Sequence, residues 1–203
     1  TAGVCGSYMS KVILLLLKWK STFRNKYANL LYVLGCALII CFIAYFIDEQ
    51  VMGSGKAGMS SLLFTSDKYG GWTAAVVRTI GPLLSFTTGA AGGIFAPSLS
   101  AGAAIGSVVA QMLHLSDTNS NLVILAGMVA FLTGVTRSPF TSAILVLEMT
   151  DRHSVIFYLL VAGIISVIVS SLVDKRSLYD HLKHQYMLEM RHEKKEVAEA
   201  WAN

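Results

Sequence analysis

Apolar residues run through this chain in long blocks separated by short polar ones. Tyr27 to Ile47, Thr118 to Thr136 and Ser154 to Val173 contain no Asp, Glu, Lys or Arg. Each reaches the length of about 20 residues that a helix needs to cross a bilayer. Thr79 to Ser116 is also free of those four residues, and it accommodates two helices if broken near Gly92–Pro97. The pattern predicts helices over Gly3–Trp19, Tyr27–Ile47, Trp72–Phe86, Ala96–Leu115, Leu122–Thr133, Phe140–Thr150 and Val155–Val173, with a last helix from Ser177. Lys18–Lys26 reads as a turn. Asp48–Tyr69 reads as a mixed segment with a glycine loop at Gly53–Gly55 and Gly58 and a short helix at Met59–Phe64. Arg78 falls inside a helix that Pro82 kinks, and Thr87–Gly93 is non-helical. Ser116–Asn121 is a polar loop, Gly134 ends one helix, Ser138-Pro139 starts the next, and Asp151–His153 is a loop. No run alternates with a strand's period, so the expected fold is all-α, with tilted and partial spans of mixed length.

Composition turns these helices into membrane spans. Hydrophobic residues make up 54% and charged residues 14%, against about 25% charged in soluble domains. The net charge of +4 is clustered. Lys11, Lys18, Lys20, Arg24 and Lys26 lie early; Lys175, Arg176, Lys183, Arg191, Lys194 and Lys195 lie late. The positive-inside tendency puts both clusters in the cytoplasm and Asp48-Glu49 outside. A nucleic-acid patch fits poorly, because apolar spans flank both clusters. Cys5, Cys36 and Cys41 form no CxxC pair and read as small buried hydrophobes, without a metal or redox role. The start at Thr1 reads as a fragment or processed product, and Thr1–Val12 lacks a signal-peptide pattern.

The chemistry concentrates at Gly92-Gly93-Ile94-Phe95-Ala96-Pro97. A helix that begins at such a break, with Pro in its first turn, points unpaired N–H groups and a positive dipole end outward. That arrangement binds anions without a charged side chain. Irregular backbone at membrane depth lines a cavity or pathway. The competing explanation is a packing notch or hinge, since glycine is frequent in membrane helices.

Three motifs narrow the choice: Gly92–Pro97, then Thr-Arg-Ser-Pro-Phe-Thr-Ser-Ala-Ile-Leu-Val-Leu-Glu-Met-Thr over 136–150, then Ser-Leu-Tyr over 177–179. In this order and spacing the chain resembles the C-terminal half, one inverted repeat, of the CLC family of chloride channels and chloride/proton antiporters. The resemblance implies a CLC-type second repeat, with residues 1–185 as the membrane half-domain and 186–203 as a charged cytoplasmic tail. It implies that the Ile94 and Phe95 amides coordinate a partly dehydrated chloride, with Gly92, Gly93, Ala96 and Pro97 shaping the loop and the Tyr179 hydroxyl donating from the intracellular side. Taken alone, Tyr179 reads more often as an interfacial anchor, and only the resemblance reverses that preference.

Arg78 and Arg137 carry two readings: attraction of anions toward the pathway, or pairing with Glu148 or helix-end carbonyls. Glu148 does not sit in the family's gating-glutamate motif, so a structural role is expected for it. Gly53-Ser54-Gly55-Lys56 resembles the end of a phosphate-binding loop but fails at Gln50 and Ala57. Gly89 to Gly93 and Gly102 to Gly106 have the spacing of close helix contacts. The family's gating and proton-transfer residues belong to a first half absent from this chain. That half, on the same or a separate chain, is therefore an expected partner, along with a second copy in a homodimer and membrane lipid. No cofactor, metal, nucleic acid or enzymatic group is expected; chloride is the transported ligand. The alternative function is a non-conducting scaffold or dimerisation half.

Overall fold

Small residues let the central helices touch backbone to backbone. The computed structural model describes residues 1–21, 26–47, 52–65, 70–89, 92–187 and 190–191. Its helices are α1 (Ala2–Ser21), α2 (Lys26–Phe46), α3 (Lys56–Phe64), α4 (Trp72–Thr87), α5 (Phe95–Met112), α6 (Asp117–Thr136), α7 (Pro139–Thr150) and α8 (Ile156–Val173). A short turn of 3-10 helix at His153–Val155 precedes α8, and residues 178–187 form a last helical run, α9. No strand occurs among the described residues. Among the described residues five helices are long and apolar enough to span a membrane: Ala2–Ser21, Lys26–Phe46, Phe95–Met112, Asp117–Thr136 and His153–Val173. The chain is an all-α integral membrane protein.

α5 and α6 form the centre and make the most extensive helix contact. A Cβ added at Gly102 would lie 2.6 Å from the Gly127 carbonyl oxygen and 2.7 Å from the Met128 Cα. One added at Gly127 would lie 3.0 Å from the Gly106 Cα. Glycine is therefore a steric requirement at this crossing. α1 packs on α6 in the same way, with Gly6 against the Phe131 carbonyl and Gly134 against Gly3. Serine hydroxyls bridge α8 to these helices: Ser166 donates to the Ala130 carbonyl at 2.6 Å and Ser170 to that of Gly3 at 2.9 Å. The burial of α8 is limited to a stripe of Leu159, Gly163, Ser166 and Ser170. Its Phe157, Ile165, Ile168 and Leu172 face outward, as a hydrocarbon solvent permits.

Several boundaries differ from the sequence expectation. Asp117 to Asn121 are not loop but the first turn of α6, where Asp117 meets the positive end of the helix dipole. Gly134 does not end α6. The helix runs to Thr136 and stops at Arg137, which takes a left-handed conformation at φ 62°. Gly134 is a packing residue instead. α3 starts at Lys56, three residues before the expected Met59. α4 runs through Pro82 as expected and ends at Thr87, one residue past Phe86. Only Cys36 is buried; Cys5 and Cys41 are exposed, because an outer face bathed in lipid is as apolar as the interior. The turn predicted at Lys18–Lys26 is shorter, since α1 runs through Ser21 and α2 starts at Lys26; residues 22–25, the Asp48-Glu49 pair and most of the 186–203 tail lie outside the described residues.

Gly127→Val should lower stability by about 1–3 kcal/mol through overpacking. Unfolding of the detergent-solubilised chain should show this loss, whereas Gly35→Ala on α2, where a Cβ meets nothing within 4 Å, should not.

Candidate anion site at the break between two helices

The break is held from both ends. On the α4 side, the ammonium of Lys20 donates to the Thr87 and Thr88 carbonyls at 3.2 and 2.5 Å. A cation on the last carbonyls of a helix satisfies its orphan acceptors and its negative dipole end. The Tyr32 hydroxyl donates to Thr87 Oγ1 at 3.0 Å, and Gly89 turns the chain at φ 85°. Residues 90–91 fall outside the described residues. On the far side, Ile94 caps α5 and accepts the Ser98 N–H at 3.1 Å. Ile94 itself is buried, together with Met9, Ile13, Ala101, Phe131 and Leu178.

The start of α5 leaves its amides unused. Among the described residues, the N–H groups of Ile94, Phe95 and Ala96 donate to no acceptor. The backbone φ at Gly92 and Gly93 is one that any residue adopts, and a Cβ on either meets nothing within 4 Å. Neither strain nor packing within the described residues requires glycine there. A cavity of about 80 Å³ opens at this point, lined by Pro82, Ser85, Gly92, Gly93, Ile94 and Pro97.

α9 brings Tyr179 to the same end of α5. The rings of Phe95 and Tyr179 stack with centroids 6.5 Å apart and planes inclined at 29°. Leu178, fully buried in the cluster with Ile94, pins the helix beneath them. Ser177 and Asp180 set its first turn as a reciprocal capping box. The Ser177 hydroxyl and N–H donate to the Asp180 carboxylate at 2.8 and 3.0 Å, and the Asp180 N–H donates back to Ser177 Oγ at 3.1 Å. These donors hold the Asp180 carboxyl below its usual pKa, so the cap is intact at neutral pH and fails only in acid. Burial pushes the Tyr179 phenol up from its usual value, so its hydroxyl stays protonated at neutral pH. No hydrogen bond to a described residue engages that hydroxyl.

The structure separates the charged residues. Arg137 binds helix-end carbonyls and not Glu148. Its guanidinium donates to the carbonyls of Gly134, Ser170 and Asp174 at 2.8 Å each, and to Ser7 Oγ at 3.0 Å. It thereby ties α1, α6 and the corner between α8 and α9. Glu148 is exposed and makes no hydrogen bond or ion pair with a described residue. At the same corner His181 Nε2 lies 3.3 Å from Asp174 Oδ2. Partial burial opposes ionisation of Asp174, but the Arg176 N–H and His181 outweigh it and keep the carboxyl below its usual pKa. Arg78 is buried and lines a separate cavity beside Pro82 and Pro97. Lys20, Tyr32, Leu178 and Arg137's four acceptors were not legible as partners in the sequence. The Ser177–Asp180 cap does carry a signal, the S-x-x-D pattern.

A polytopic all-α architecture, with a helix broken at a glycine pair and its free amides turned toward a cavity, defines the class: a membrane protein built for passage of small solutes or ions. Comparison with protein-family models matches residues 1–171 to the family described as voltage gated chloride channel. The chain belongs to that family, whose members are channels or transporters of chloride and not enzymes in the usual sense.

Ser177→Ala removes the two bonds of the hydroxyl, leaves the backbone N–H of residue 177 on Asp180, and should cost α9 about 0.5–2 kcal/mol. Amide exchange over 178–187 should accelerate, while α6 keeps its protection.

Proposed function

We propose that this chain contributes one side of a chloride pathway, in which the Ile94 and Phe95 amides and the Tyr179 hydroxyl hold the ion. One observation carries this reading: an unengaged phenol is stacked beside unengaged N–H groups at a helix N-terminus, among side chains that are otherwise apolar. All three donors are neutral. Each helix-terminus contribution is about 0.3–2 kcal/mol, enough to attract an anion and weak enough to release it, as conduction requires. Gly92 and Gly93 keep Cβ atoms out of the approach. Ala96 and Pro97 complete the loop, and Arg137 and Glu148 act outside it, the first by fixing the corner that leads into α9. On the same reading the chain is the second inverted repeat of its family, works with a first-half partner on the same or another chain, dimerises through a second copy, and faces the cytoplasm with residues 186–203.

The decisive test is chloride efflux from liposomes holding the chain together with a first half from the family. Exchanging the Phe95 amide for an ester removes one N–H and leaves the side chain in place. Tyr179→Phe removes one hydroxyl. Each change should weaken chloride binding by about two- to tenfold, the worth of one neutral hydrogen bond. Unchanged binding and flux in both would sink the assignment. Flux that never appears with any first half would favour a non-conducting scaffold.

A further inference from the structure

We infer that Lys20 is a specificity-determining residue: its ammonium cancels the negative end of α4 and so makes the break between α4 and α5 attractive to an anion. The inference rests on the chloride reading above and adds to it a residue from α1. Two helices meet at this break with opposite poles. α5 begins there, with about half a positive charge on its first amides, and α4 ends there, with about half a negative charge on its last carbonyls. The last turn of α4 is part of the cavity wall, since Ser85 and Phe86 line it together with Gly92, Gly93 and Ile94. An anion arriving at the α5 amides therefore meets both poles, which cancel to first order. A third charge has to decide the sign.

The last carbonyls of α4 each have a partner. That of Leu84 accepts from Thr87 Oγ1 at 2.9 Å. That of Ser85 accepts from the Thr88 N–H at 3.3 Å and the Thr88 hydroxyl at 2.7 Å. That of Phe86 accepts from the Gly89 N–H at 3.2 Å. Those of Thr87 and Thr88 remain, and Lys20 takes both. The surroundings suit a cation. The Tyr32 ring centroid lies 5.9 Å from Lys20 Nζ, close enough for a cation–π contact. Trp19 braces that ring edge-on, with centroids 6.0 Å apart, and the Tyr32 hydroxyl is tied to Thr87. All of these partners are neutral, so they orient the charge of Lys20 without cancelling it.

The ammonium is near enough to act on the pathway. A Cβ on Gly89 would sit 3.1 Å from Nζ. Gly89 and Gly92 are three residues apart, which spans at most about 11 Å of chain. Nζ therefore lies within roughly 16 Å of Gly92. At an effective dielectric constant of about 20–80, a unit charge at that distance changes anion affinity by about two- to sixfold.

Bromide binding to the full chain in detergent, followed by titration calorimetry, tests this. Lys20→Met removes the charge and the donors. Lys20→Gln removes the charge but keeps N–H donors for the two carbonyls. Both should weaken bromide binding about two- to sixfold at an ionic strength of about 0.01 M, where the Debye length is about 30 Å, and the difference should vanish near 1 M, where it is about 3 Å. Lys20→Arg, which keeps charge and donors, should bind like the unaltered chain. Tyr179→Phe should weaken binding at both ionic strengths. A loss in Lys20→Met that is equal at both ionic strengths, or that Lys20→Gln repairs, makes Lys20 a structural clamp and overturns the inference. Unchanged binding in both charge-removing variants, with Tyr179→Phe still weakened, overturns it and leaves the chloride reading standing. Absence of bromide binding in the unaltered chain removes the chloride reading and this inference with it. Should Lys20→Met and Lys20→Gln fail to fold, the unaltered chain decides: an affinity that does not fall between the two ionic strengths overturns the inference.

Discussion

In hydrocarbon, an N–H or C=O without a partner costs several kcal/mol. The rest of this structure depends on how the chain meets that constraint where its helices stop. The C-terminal end of α4 passes its carbonyls to Lys20. The ends of α6 and α8 pass theirs to Arg137. In both places one long basic side chain closes a helix end: Lys20 reaches α4 from α1, and Arg137, the C-cap of α6, reaches across to the end of α8. At the start of α5 the Ile94, Phe95 and Ala96 amides donate to no acceptor among the described residues, and unlike other helix starts this one lies beside a phenol that is also unengaged there. An unpaired group is tolerable in such a protein where something mobile arrives to pair it, and an anion is the natural complement of three N–H groups.

The remaining architecture brings these ends together. Glycines 3, 6, 102, 106, 127 and 134 draw α1, α5 and α6 into backbone contact, which fixes Ile94 relative to Phe131 and Met9. Leu178 enters the same cluster, so the helix carrying Tyr179 is referenced to the same three helices as the amides it faces. The arginine at 137 then sets the direction from which α9 leaves α8. Small residues and long basic ones thus divide the work: the first set spacing, the second close the ends.

Much of this was legible in the sequence for a simple reason. Charge-free blocks such as Tyr27–Ile47 and Ser154–Val173 have one physical meaning at their length, and the structure has helices there. The Gly92–Pro97 break was legible because glycine followed by proline has few other uses inside an apolar run. What stayed hidden were partners far apart in the chain. Nothing local joins Lys20 to Thr88 or Arg137 to Ser170. Gly134 illustrates the same gap: a glycine near a helix end looks like a terminator until the neighbouring backbone of Gly3 is known. Asp117 to Asn121 looked like loop because polar residues open helices as readily as they fill loops.

Gly92 and Gly93 differ from every glycine at the helix crossings, in that nothing within the described residues presses on them. A crossing glycine is guarded by folding itself: alter it and the chain misassembles and is cleared. These two are guarded only by what passes over them. A cell that inspects its membrane proteins for packing would accept a chain altered at either position, insert it and keep it. On the chloride reading, such a variant would be abundant, correctly assembled and silent, and only a measurement of ion movement would tell it from the original.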